Sequence, residues 1–283
     1  MSISPPLSLG FSPCPNDTYI FCDLVNRARQ ESDPLFQQPF LEDVETLNQW
    51  AFQQRLDVSK LSFHAMAHLL DDYCILSSGA ALGRGCGPLL VGGKNSSLAS
   101  LNGGEVAIPG EFTTAALLFK MFLPQHTRVV EMRFEQILQS VAEGSVDAGV
   151  IIHESRFTYQ DLDLVCLQDL GEWWEDISGV PIPLGCIGAR RKLGGALLLK
   201  IDNQIKASLQ WASKHPGLCR DYIKQHAQET DDSVIDQHID LYVNEFSLEL
   251  GAEGKAAIQM FFEKGRELDV VPPYSGAIFC SRS

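Results

Sequence analysis

His153 stands at the end of Gly149-Val-Ile-Ile152, an apolar run with the character of a strand buried on both faces, and Glu154 follows it. A titratable side chain at the C-terminal end of such a strand lies where open α/β sheets place their ligands. Imidazole also has the ordinary pKa nearest neutrality, which suits it to take a proton. The bland alternative is a structural histidine bonded within a loop. Two polar loops offer complementary chemistry. Ser12-Pro-Cys-Pro-Asn-Asp-Thr18 brings Ser12, Asn16 and Asp17 in front of an apolar helical pattern, and Thr113-Thr114 opens another. Hydroxyls and unpaired amides at a helix start bind carboxylates, although each residue taken singly serves equally well as a helix cap. Asp57-Val-Ser-Lys-Leu-Ser62 sets Lys60 and Ser62 at the end of a further strand. Lys60 would pair with a substrate carboxylate or else extend into solvent, and Ser62 would donate a hydrogen bond.

The elements that position these residues form a repeated design. Strand, polar loop and helix occur at Leu9–Phe21 and again at Val106–Phe119, and a helix leading through an aspartate into a strand occurs at Leu47–Val58 and Ile137–Val150. Asp57 and Asp147 are 90 positions apart, and Thr18 and Thr114 are 96 apart. Two α/β lobes follow from this, residues 1–92 with 190–283 and an inserted 93–189, facing each other across a cleft. Gly79–Gly93, with six glycines, is either a hinge or a substrate loop. Gln30–Pro39 reads as a polar surface loop, and Leu193–Arg266 is mostly helical in period.

Several other features carry less. His64 and His68 share a helix face but lack an obvious third ligand, so two neutral packed histidines are expected and no metal is assigned. Trp173-Trp174 places at most one ring toward the cleft. Gly83-Arg-Gly-Cys-Gly87 fits no phosphate-binding pattern. The net charge of −14 over 283 residues, with no basic cluster, argues against nucleic acid and anionic membranes as partners. Anion binding must then be local. The N-terminus shows no secretory pattern, and none of the eight cysteines makes a C-x-x-C pair. A cytoplasmic protein with reduced, buried thiols is the expectation.

Taken together, the loops resemble one family. Ser12-Pro-Cys-Pro-Asn-Asp-Thr18, Asp57-Val-Ser-Lys-Leu-Ser62, Gly83-Arg-Gly-Cys-Gly-Pro-Leu-Leu-Val91, Ile108-Pro-Gly-Glu-Phe-Thr-Thr-Ala115 and His153-Glu-Ser-Arg-Phe-Thr-Tyr159 are similar to 1,4-dihydroxy-6-naphthoate synthases of the futalosine route to menaquinone. So are Asp169-Leu-Gly-Glu-Trp-Trp174, Pro181-Ile-Pro-Leu-Gly185 and Phe246-Ser-Leu-Glu-Leu-Gly251. The resemblance implies a fold like a type II periplasmic binding protein, kept in the cytoplasm and used as a lyase without metal or organic cofactor. It implies cyclic dehypoxanthine futalosine, a small carboxylate, as substrate and His153 as proton acceptor. Lys60-Leu61-Ser62 and Thr113-Thr114 would be substrate-binding segments. The alternatives are chorismate dehydratase, which shares the pathway and fold, and a non-catalytic solute-binding protein. The oligomeric state stays open.

Overall fold

A computed structural model describes residues 6–28, 34–123 and 128–280, so residues 30–33 of the Gln30–Pro39 stretch lie outside it. One sheet contains β1 (Leu9–Phe11), β2 (Phe40–Leu41), β3 (Val58–Ser62), β4 (Tyr73–Ile75), β5 (Ala81–Gly83) and β11 (Ile182–Arg190). The other contains β6 (Leu89–Gly92), β7 (Glu105–Ile108), β8 (Arg128–Glu131), β9 (Ala148–Ile151) and β10 (Val165–Asp169). Their orders are β2-β1-β3-β11-β4, with β5 also on β11, and β8-β7-β9-β6-β10. Each therefore opens with three parallel strands and continues with a fourth that is antiparallel to the third. The repetition expected from the sequence is a repetition of topology.

The two equivalent aspartates show how. Asp57 Oδ2 accepts from the Ser8 amide at 3.1 Å and from its hydroxyl at 2.9 Å, which fixes the start of β3 against the start of β1. Asp147 Oδ2 accepts from the Glu105 amide at 2.7 Å and ties the start of β9 to β7. The helix before each strand packs its apolar stripe on the sheet: Leu47 and Ala51 in Val44–Phe52, Ile137 and Val141 in Phe134–Ala142. The first helix spans Pro15–Ala28, starting ahead of Thr18, because proline suits a first turn whose amides lack partners.

Sheet membership moves both crossings away from the lobe boundaries expected at 92/93 and 189/190. β6 lies before residue 93 yet belongs to the second sheet, and β11 belongs almost wholly to the 93–189 segment yet pairs in the first. The chain crosses at 84–88 and returns over 170–181. Leu90 and Val91 are completely buried, so their strand needs neighbours on both sides, and β9 and β10 supply them. Gly79–Gly93 is thus two strands and a crossover. The crossings touch: the Leu170 amide donates to the Pro88 carbonyl at 3.0 Å, and a Cβ on Gly87 would lie 2.3 Å from the Gly171 Cα.

One cysteine expectation is overturned. Cys74 and Cys280 are joined by a disulfide across 206 residues, because the C-terminal segment runs beside β4 and the Cys280 amide donates to the Ile75 carbonyl at 3.0 Å. Cys166 is exposed on the edge strand β10, where only one side is paired, whereas the remaining free cysteines are buried. No helix among the described residues is long and apolar enough to cross a membrane.

Candidate active site

A cavity of about 80 Å³ opens between the sheets. Ser12, Asn16, Asp17, Lys60 and Ser62 line it from the first lobe, and Thr113, Thr114 and His153 from the second. β3 itself carries Lys60 and Ser62, and the segments that follow β1, β7 and β9 carry the others. Leu61 is the exception among the sequence-derived candidates. Side chains alternate along β3, so Lys60 and Ser62 reach the cavity while Leu61 enters the core, fully buried.

Lys60 borders the cavity but is ion-paired rather than solvated. Its Nζ lies 2.5 Å from Asp17 Oδ1, with the two side chains 6% and 1% exposed. Asp17 accepts further bonds from the Ser12 amide at 3.2 Å, the Ser12 hydroxyl at 2.7 Å and Asn16 Nδ2 at 3.1 Å. A buried carboxylate with an ammonium and three neutral donors is a satisfied group, and the first polar loop is held rigidly by it.

His153 occupies the left-handed region, with φ 55°, which side chains other than glycine adopt at a cost. Burial pushes the imidazole down to about 4, with Asp17 opposing and Lys60 reinforcing the shift, so it is neutral at pH 7. Phe134 meets the ring edge-on at 5.1 Å. His238, fully buried, lies parallel to it at 6.2 Å with 7° between planes. The Nε2–H of His238 donates to Asn16 Oδ1 at 3.1 Å, and Asn16 in turn bonds Asp17. His238, Asn16 and the Asp17–Lys60 ion pair therefore share one buried polar network, and the His153 ring lies against its His238 end.

The threonines keep their structural roles. Thr113 Oγ1 accepts from the Ala116 amide at 3.1 Å and donates to the Gly110 carbonyl at 2.9 Å, capping helix Thr114–Phe122. Thr114 Oγ1 donates to the Leu184 carbonyl at 2.6 Å. The amides of Thr114 and Ala115, in the first helical turn, have no partner within the helix. Ser62 is different: its amide donates to Asn48 Oδ1 and its Oγ accepts from Asn48 Nδ2, leaving the hydroxyl proton to point elsewhere.

Asn48 and Glu45 also link the lobes. Glu45 Oε2 accepts from the Phe112 amide at 3.2 Å and from Asn48 Nδ2 at 3.1 Å, and His64 Nδ1 donates to the Thr113 carbonyl at 3.2 Å. His64 and His68 are packed against Phe112, as expected of neutral histidines. Trp174 is buried against Phe261 and Trp173 packs on Phe122, so neither indole lines the cavity.

A profile of the family described as menaquinone biosynthesis matches residues 7–267. The chain belongs to that family. It is 47% identical over 273 residues to a 1,4-dihydroxy-6-naphthoate synthase of Thermus thermophilus, covering 96% of this chain and 98% of the relative. A Streptomyces coelicolor protein of the same name is 42% identical over 271 residues, covering 94% and 95%. The alkanesulfonate-binding protein from Xanthomonas axonopodis pv. citri, solved with MOPS bound, superimposes with a TM-score of 0.70 at 12% identity, covering 95% of each chain. The fold of this menaquinone-biosynthesis protein is thus the periplasmic-binding-protein clamshell expected from its loops.

Sequence reasoning missed His238, Tyr242, Cys86 and Asn48. The first two share the stripe Ile235-His238-Tyr242 in helix Asp232–Tyr242, and a histidine on an otherwise apolar face was the available signal. Cys86 and Tyr242 border the cavity from the first crossover and from that helix. Asn48 gave no comparable sign, since its bonds reach residues 14 and 64 positions away.

Proposed function

We propose that the protein is a cytoplasmic lyase that converts cyclic dehypoxanthine futalosine to 1,4-dihydroxy-6-naphthoate, with His153 as general base and no cofactor. The observation that carries this reading is that the His153 imidazole and the Ser62 hydroxyl line the same cavity, where burial pushes the imidazole toward its neutral form. Elimination of the sugar-derived carbons beside a carbonyl requires a proton to be taken and an oxyanion to be held. His153 takes the proton. The uncommitted Ser62 hydroxyl donates to the oxygen, and the first-turn amides of helix Thr114–Phe122 receive the substrate carboxylate at the positive helix end. Lys60 acts through Asp17 and the Ser12–Asp17 loop rather than by touching substrate. Aromatisation supplies the driving force, so the protein contributes positioning and one base.

The test incubates the protein with cyclic dehypoxanthine futalosine and, separately, with chorismate, and follows naphthoate formation and consumption of each. The futalosine derivative is consumed, and His153→Asn retains binding but loses about 10²–10⁴-fold in turnover. Consumption of chorismate instead identifies a dehydratase. Binding with unchanged recovery of both compounds identifies a solute-binding protein. Wild-type turnover in His153→Asn removes the base from its role.

A further inference from the structure

Two side chains that the proposed reaction leaves idle crowd the imidazole of His153. Cys14 lies in the turn ahead of helix Pro15–Ala28 and is 4% exposed, and Glu154 follows His153 in the chain and is 8% exposed. One donor atom of each of Cys14, His153 and Glu154 lies within 4.8 Å of the other two, the one such grouping of three among the described residues. Consecutive side chains on an extended strand point to opposite faces. The left-handed turn at His153 breaks that alternation, so residues 153 and 154 both reach the same sulfur.

We propose that Cys14, His153 and Glu154 form a binding site for Zn²⁺, whose fourth position faces the cavity, and that the bound ion blocks the proton acceptor by taking its lone pair. The inference uses the same imidazole as the proposed function, but metal binding does not depend on which reaction is catalysed.

The donor set selects the ion. One sulfur, one imidazole nitrogen and one carboxylate oxygen with an open fourth position is a zinc arrangement, and a thiolate disfavours Mg²⁺ and Ca²⁺. Tetrahedral bonds of about 2.0–2.3 Å put the donors roughly 3.3–3.7 Å apart, so side-chain rotation must close the triangle by about 1 Å. Charge favours the ion as well. On binding, the Cys14 thiol proton passes to solvent, and thiolate and carboxylate together neutralise the dication. The adjacent charges, Asp17 and Lys60, already cancel each other. A neutral cluster then replaces a buried carboxyl and thiol that have no cation of their own.

The experiment uses the full chain carrying Cys166→Ser, which removes the exposed thiol, after treatment with chelator. Co²⁺ is titrated as a spectroscopic probe and Zn²⁺ by calorimetry, without substrate. One equivalent of Co²⁺ binds with a thiolate-to-metal charge-transfer absorption, and Zn²⁺ displaces it. Cys14→Ser abolishes the absorption, and Cys14→Ser and Glu154→Gln each weaken Zn²⁺ binding by about tenfold or more. Glu154→Gln preserves shape, so it serves if Cys14→Ser fails to fold. Absence of saturable binding at one equivalent, or unchanged Zn²⁺ affinity in a folded variant, overturns the site. If zinc binds and the metal-free protein does not turn over the futalosine derivative, the reaction assignment fails and the metal site stands; turnover that survives one equivalent of bound zinc overturns the block.

Discussion

Replacing Lys60 with methionine removes an ammonium that lies 2.5 Å from a carboxylate only 1% exposed. Asp17 then keeps the two Ser12 donors and Asn16 but loses its one cation. Breaking a buried pair from one side costs about 3–5 kcal/mol, because the remaining charge stays desolvated and uncompensated. Asp17→Asn carries a cost of the same origin through the stranded ammonium. The double variant Asp17→Asn/Lys60→Met has no stranded charge, so it falls short of the sum of the singles by about 1–3 kcal/mol. Urea denaturation of the four proteins at pH 7, with comparable slopes, measures this directly. The same variants report on His153, since Lys60 pushes its proton affinity down and Asp17 pulls it up. In Lys60→Met the acid limb of kcat/KM, set near pH 4 by the imidazole, moves upward, and in Asp17→Asn it moves downward. Singles costing under about 1 kcal/mol, additive energies, or acid limbs moving in the same direction would refute the shared network.

Three other perturbations test the frame around the site. Burial pushes the Glu45 carboxyl up from 4.5 to about 7. The unfolded chain ionises first, so this group's contribution to stability is complete below pH 4.5 and is lost as pH rises through 7. Glu45→Gln therefore flattens the Tm-against-pH curve in that window, and an unchanged slope contradicts the assignment. Gly87→Ala puts a methyl 2.3 Å from the Gly171 Cα where the crossings touch, a backbone contact that cannot rotate away. A loss of about 1–3 kcal/mol is expected by denaturation, whereas Gly85→Ala meets nothing within 4 Å and loses only what its φ of 65° imposes. Reduction of the Cys74–Cys280 disulfide, or Cys280→Ser, frees a 206-residue closure and lowers stability by roughly 2–4 kcal/mol. Equal melting with and without reductant would show that the bridge contributes nothing.

What could be read in advance was local or periodic. Asp57 and Asp147 betrayed the repeat because each does one local job, pinning a strand to its parallel neighbour, and a job done twice leaves the same residue twice. The polar loops were visible because helix starts attract hydroxyls and carboxyls. What escaped depended on distance along the chain. The partner of Lys60 is 43 positions away, and the carbonyl bonded by His64 is 49 away. Neither bond leaves a mark on its neighbours. The crossings were misplaced because glycines announce close approach without saying to what, and here Gly87 approaches Gly171 rather than a ligand. Leu61 was carried along by its flanking residues, although the alternation of β3 was enough to turn it inward.

The repeat also explains why only one half carries an imidazole at this position. At the 90-residue offset that relates Asp57 to Asp147, the counterpart of His153 is Phe63. β3 runs directly into helix Phe63–His68, and Phe63 is fully buried, 6.3 Å from Phe262. β9 instead ends at Ile151, and His153 takes φ 55° before the chain turns into the short helix Ser155–Thr158. The same position in a duplicated scaffold is thus a core ring in one lobe and a cavity-lining imidazole in the other, and the backbone turn separates the two fates. Asparagine tolerates the left-handed region better than most residues. His153→Asn therefore preserves the turn while deleting the proposed proton acceptor, whereas His153→Val would strain the backbone as well. If turnover fell equally in both variants but only valine lost ligand binding, the chemistry would reside in the ring and the geometry in the turn.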